Sequence, residues 1–117
     1  MAFFRLMPYA GEDFSPTSAS SEENYGFDWS GIGVLAPGDA ILSATFFLGV
    51  VVGNDPNVNS HFIGLPVVNG LIVYQKIGGL VTGVTYCITC DIVTVSGQTP
   101  SISANLFCIP DCTGYLP

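Results

Sequence analysis

The chain has 117 residues, 49% of them apolar and 9% charged, with nine acidic residues against two cations, Arg5 and Lys76. A net charge of −7 without clustered Lys or Arg excludes nucleic acid as a partner and disfavours anionic membrane surfaces. One domain of this size buries one modest core, and an ordinary soluble domain is roughly 25% charged, so the apolar excess predicts surface covered by other protein.

Residues 1–23 differ from the rest. An apolar lead carries Phe3, Phe4, Leu6, Met7 and Tyr9, interrupted by Arg5 and stopped by Pro8. It is too short for a secretory signal, so the chain is expected to fold in a reducing cytosol. Gly11-Glu12-Asp13 and the run from Ser15 to Glu23 then have the small, polar composition of an arm. Two readings of the lead stand side by side: a first strand on the domain's own sheet, or a hook that docks on a neighbouring subunit.

Residues 24–30 predict a strand with Tyr25, Phe27 and Trp29 on one face, followed by a Gly/Pro-rich turn over 31–39. Residues 40–52 predict a second strand. Its apolar run, ILSATFFLGVVV, has 12 residues, short of the ~20 that cross a bilayer as a helix. Its β-branched and aromatic content reads as a buried strand. Gly53-Asn54-Asp55-Pro56-Asn57 is a turn. Residues 61–68 form a weaker strand, broken by Gly64 and Pro66, which places it at an edge.

Residues 71–77 set Ile72, Tyr74 and Lys76 opposite Leu71, Val73, Gln75 and Ile77. After Gly78-Gly79 comes the clearest signal. Val84, Tyr86, Ile88, Cys90 and Ile92 share one face, Thr85, Cys87, Thr89, Asp91 and Val93 the other. Ser96-Gly97-Gln98-Thr99-Pro100 turns the chain before Ile102, Ala104 and Leu106 resume the alternation. There is no internal repeat and no helical stripe. The expected fold is all-β, an immunoglobulin-like antiparallel β-sandwich with an extended N-terminal arm: 1–23 arm, 24–109 sandwich, 110–117 tail. Trp29 is the expected core anchor, with Tyr86 as packing partner and Phe46 or Phe47 beneath; Tyr86 alternatively makes a corner hydrogen bond to backbone.

Cys87, Cys90, Cys108 and Cys112 have the spacing of a four-thiolate zinc site. Cys87 and Cys90, three apart in a strand, nevertheless point to opposite faces. Pairing across the hairpin is expected to bring Cys90 near Cys108 and Cys87 near Cys112, again on different faces. Free thiols, some packed as small hydrophobes, are therefore the favoured reading, ahead of disulfides and then of zinc. His61, the one histidine, is expected at a surface or interface, with no nucleophile–base arrangement around it. Glu12-Asp13 and Glu22-Glu23 are expected to be solvated, and Asp28 and Asp39 to serve strand ends and turns. No glycine pattern cradles phosphate. No catalytic residue and no cofactor is expected, and the chain is read as a non-enzyme.

The order Asp28-Trp29-Ser30, Leu35 with Gly38-Asp39-Ala40-Ile41, Gly78-Gly79, Gly83-Val84-Thr85-Tyr86 and Val93-Thr94-Val95-Ser96-Gly97-Gln98-Thr99 resembles the small immunoglobulin-like structural proteins of tailed bacteriophages. The resemblance spans residues 28 to about 107. It implies a virion component made in the host cytoplasm: a capsid decoration or cement protein, with neck, tail or head-fibre accessory protein as the alternative. The implied partners are the major capsid protein or other virion proteins, and further copies of the chain as dimer or trimer. Candidate contacts are Phe3, Phe4, Leu6, Met7 and Tyr9 of the lead, Phe62, Ile63 and Leu65 of the edge segment, and the tail. A reading of another class is a host-surface or carbohydrate-binding module using Tyr9, Tyr25, Tyr74 or Tyr115 as a platform.

Overall fold

The computed structural model describes residues 4–7, 13–14, 16–32 and 35–109. Within them the alternating stretches become eight strands: β1 (Phe4–Met7), β2 (Thr17–Ser18), β3 (Glu22–Asp28), β4 (Ile41–Val52), β5 (Phe62–Asn69), β6 (Ile72–Gly78), β7 (Thr85–Thr94) and β8 (Ser101–Ile109). They form two four-stranded sheets, ordered β1-β3-β6-β5 and β2-β8-β7-β4. The pairings β3–β6, β5–β6, β4–β7 and β7–β8 are antiparallel, while β1 lies parallel to β3 and β2 parallel to β8. The protein is all-β, with two sheets as in a β-sandwich. No helix among the described residues is long and apolar enough to cross a membrane.

Period-two alternation fills the core. Tyr25, Phe27, Val73 and Ile77 come from the first sheet, and Phe46, Leu48, Tyr86, Ile88, Cys90, Ile92 and Leu106 from the second. Full burial of each large apolar side chain is worth about 1.5–3 kcal/mol. Phe27 stacks on Phe46 with centroids 6.2 Å apart.

Much of the segment with arm-like composition lies on the sheets. Phe14 is buried, packs edge-on against Tyr25 and Phe27 at 5.3 and 5.6 Å, and donates its N–H to Asn105 O at 2.9 Å. Asp13 Oδ1 accepts the Asn105 N–H. Thr17 is buried beside Cys108, and its hydroxyl donates to Glu23, so this carboxylate is not simply solvated. The lead's backbone at Phe4–Met7 takes the position of a first strand, registered Phe4↔Asn24 to Met7↔Phe27. Phe3, Tyr9 and the tail from residue 110 lie outside the described residues.

Trp29 is a core residue, but it does not extend the first strand. It opens a single helical turn, α1 (Trp29–Ile32), because Asp28 Oδ1 accepts the Ser30 N–H at 3.1 Å and the Ser30 hydroxyl at 2.6 Å, as an N-cap does. The Trp29 N–H donates to Leu71 O, holding the turn against the start of β6. Its indole N–H is buried without a well-formed acceptor among the described residues, and the Cys90 thiol is the polar group beside it.

Candidate functional site

The two outer strands β4 and β5 belong to different sheets and touch along one flank of the molecule. Of β4, Ile41, Phe46 and Leu48 are buried, whereas Leu42, Phe47, Val50, Val51 and Val52 are exposed. The buried-strand reading of 41–52 therefore holds for one face only. β4 is a sheet edge, and its apolar run is continuous because both faces carry apolar groups. Phe47 points away from the core, so Phe46 is the ring that packs inward.

β5 is the expected edge. Phe62 is half-buried against the core, while Ile63 and Leu65 are exposed, Leu65 at 85%. Its pairing with β6 breaks between Ile63 and Val67, where Gly64 takes φ 73° and Pro66 withholds a donor. Gln75, buried on β6, fills the break: its Nε2 lies 3.2 Å from Ile63 O and 3.1 Å from Gly64 O. The candidate contacts on Ile63 and Leu65 thus form an exposed patch. The structure adds the β4 side chains, which the sequence reading left in the core.

Behind this flank lies a polar cluster. His61 and Asp55 are buried, which corrects the surface or interface placement of the histidine. Asp55 Oδ2 is 2.6 Å from His61 Nε2 and accepts the Tyr86 hydroxyl at 2.6 Å, while Asp55 Oδ1 takes the Asn57 N–H at 3.1 Å. The Tyr86 oxygen in turn accepts the Val81 N–H at 2.9 Å. The corner hydrogen bond to backbone is therefore the role Tyr86 fills, and its ring meets His61 edge-on at 5.9 Å. Gly53 lets the turn come this close: a Cβ there would sit 3.0 Å from Val84 Cγ2, and its φ is 104°.

Burial pushes the Asp55 carboxyl up, but hydrogen bonds from Tyr86, His61 and the Asn57 backbone outweigh it and hold the group below its ordinary value. Burial, then the bond to Asp55, pushes the Tyr86 phenol up. An ionised Asp55 accepts from both partners, which sets the His61 proton on Nε2. The cluster joins the crossover from β4 to β5 with the one from β6 to β7. Its side chains bond to one another and to the backbone of both crossovers, which is the arrangement of a clasp. A buried tyrosine at a strand start and a carboxylate six residues before the one histidine were the available signals, but 31 positions separate Asp55 from Tyr86.

The hairpin register corrects the cysteine geometry. Cys90 faces Ile102 and Cys87 faces Asn105, while Cys108 bonds through its backbone to Val84 and Gly83. Cys90 and Cys108 share the inner face but lie six positions apart along it, about 20 Å. No group of His, Cys, Asp or Glu among the described residues is arranged to hold a metal ion. Burial, then the Asp91 charge, pushes the Cys90 thiol up to about 12. Tyr25, 1% exposed, leaves the carbohydrate platform for the core. Asp39 serves a turn as expected: it accepts from the Ala40 N–H and from Ser96 N–H and hydroxyl, fastening the β7–β8 turn to the start of β4.

In comparisons with known proteins, no family model matches the chain, and no curated protein or solved structure matches it.

Proposed function

We propose that the chain is a structural protein of a tailed-bacteriophage virion, a decoration or cement protein that binds across subunit boundaries of the head shell. The observation that carries this reading is the apolar flank of β4 and β5, with Leu42, Phe47, Val51, Val52 and Leu65 half or more exposed on a chain with two cations. A surface of this kind is stable when another protein covers it. A standard contact of about 1,600 Å² at about 25 cal/mol per Å² supplies tens of kcal/mol before the costs of association, and a repeating shell adds avidity.

The scaffold is read as immunoglobulin-like. Taken as letters, β3-β6-β5 follow B-E-D and β8-β7-β4 follow G-F-C, with the first strand split between β1 and β2. The Tyr86 bond to Val81, five residues upstream at the corner before β7, agrees with the tyrosine corner of that fold. The parallel pairing of β1 with β3 is the departure. Quantitative mass spectrometry of purified particles tests the function. Hundreds of copies per particle support shell decoration, a dozen or fewer move the protein to the neck or tail, and absence from particles ends the virion reading.

A further inference from the structure

We propose that β4 is a self-pairing edge: two copies of the chain join β4 to β4, antiparallel about a two-fold axis beside Leu48, so that two four-stranded sheets become one. The inference stands on the edge itself and does not depend on the virion reading. Among the described residues β7 is the one strand bonded to β4, so the other side of the strand presents a row of backbone donors and acceptors. Natural edges of this length are blunted by charge, proline or irregularity. From Ile41 to Val52 there is no charged residue and no proline. The register with β7 shifts only at the two ends, between Ile41 and Ser43 and between Val50 and Val52, which leaves residues 43–50 regular.

Several observations choose a second copy as the occupant. The strand is uncharged, so opposing it to itself sets no like charges together on a chain of net charge −7. It also carries its own complement. Phe47 is 50% exposed on the outer face, and two residues on Gly49 has nothing within 4 Å of where a Cβ would sit. With the axis at Leu48, each Phe47 lies opposite the second copy's Gly49, and its ring fills that hollow twice over, as aromatics do across from sheet glycines. Phe46 then faces Val50, a pairing suited to a pleated surface, and Thr45 comes opposite Val51, where the register with β7 shifts and the regular ladder ends. The contact strip of residues 44–52, with regular ladder pairs over 46–50, is about 30 Å long; with the β5 edge a sheet spacing away and side chains on both sides it is about 25 Å wide, giving about 750 Å² against the roughly 800 Å² per partner of a standard interface.

Sedimentation equilibrium of the full chain, with hydrogen exchange read by NMR, tests the pairing. A dimer of twice 12.3 kDa is expected, with β4 amides directed away from β7 protected at high concentration and released on dilution. Phe47→Lys should weaken the dimer by about 100-fold or more, since it sets a cation beside its symmetry mate's strand at the centre of the contact, while the thermal midpoint of the dilute, monomeric protein stays unchanged. Should that variant fold poorly, Val51→Lys and the wild-type dilution series give the same decision. A monomer at about 1 mM overturns the proposal, as does a trimer, or a dimer that survives both lysines. Loss of the dimer on deletion of residues 1–12 with both lysines tolerated also overturns it, because the lead would then be the strand that occupies the edge.

Discussion

β4 and β5 lie side by side on one flank, and they handle the same hazard in opposite ways. β5 carries Gly64, Pro66 and a broken register, and Gln75 takes up the carbonyls that the break leaves behind. Another strand cannot align along it without meeting the bulge. β4 is long, uncharged and, outside the shifts near its two ends, regular. Both carry exposed apolar side chains, so hydrophobicity does not distinguish them. The backbone does: one edge buries side chains against a partner at most, and the other also offers a ladder of hydrogen bonds.

That contrast can be broken at several points. Phe46→Ala should cost about 3–5 kcal/mol of unfolding free energy, whereas Phe47→Ala, one residue on, should fall within about 0.5 kcal/mol for the monomer. Urea denaturation of dilute protein checks the pair, and equal losses would deny that β4 has an outer face. Asp55→Ala should cost about 3 kcal/mol, because it strands the buried Tyr86 hydroxyl and the His61 ring N–H behind the crossover that sets β4 beside β5. Thermal melts would read it. Gln75→Leu should cost about 1–2 kcal/mol and speed hydrogen exchange in β5 while leaving β4 unchanged. Leu65→Ser, at the most exposed large apolar side chain among the described residues, should shift stability by no more than about 0.5 kcal/mol.

Acid gives a further check on the clasp behind the flank. Asp55 in the folded protein titrates below its ordinary 3.8, so the stability from its ionised form is fully present above that pH and is lost as pH falls beneath it. Tyr86 is shifted upward, so its contribution is intact below its ordinary 10.0 and declines as alkali removes the phenolic proton. Denaturant midpoints of the wild type against Asp55→Asn across both limits should show the acid limb flatten in the variant.

Sequence periodicity was enough for β6, β7 and β8, because each alternates with one face in the core, while β4 was legible as a strand from its β-branched and aromatic content. The edge character of β5 was also legible, since Gly64 and Pro66 act on the backbone directly. The placement of residues 13–18 was not: Phe14 is one aromatic in a polar stretch, and its burial depends on Asn105, which lies on the last strand. Trp29 continued the alternation of Tyr25 and Phe27, but a local cap from Asp28 overrode that pattern. The outer face of β4 was hidden for a different reason. An apolar run with no polar alternation looks the same whether a strand is covered on both faces or exposed on one, and only the strand order tells them apart. The clasp needed Asp55 and His61 of the β4–β5 crossover to meet Tyr86 of β7, a long-range juxtaposition that no spacing encodes.

Cys90 sits at the middle of the sheet, sealed under Trp29 and reluctant to ionise. A thiol reagent in solution reaches that sulfur only when the sandwich comes apart, so peptide-resolved alkylation of this one position times the opening of the whole molecule. The chain carries its own stopwatch for unfolding, readable even in a mixture where melting curves would blend every component.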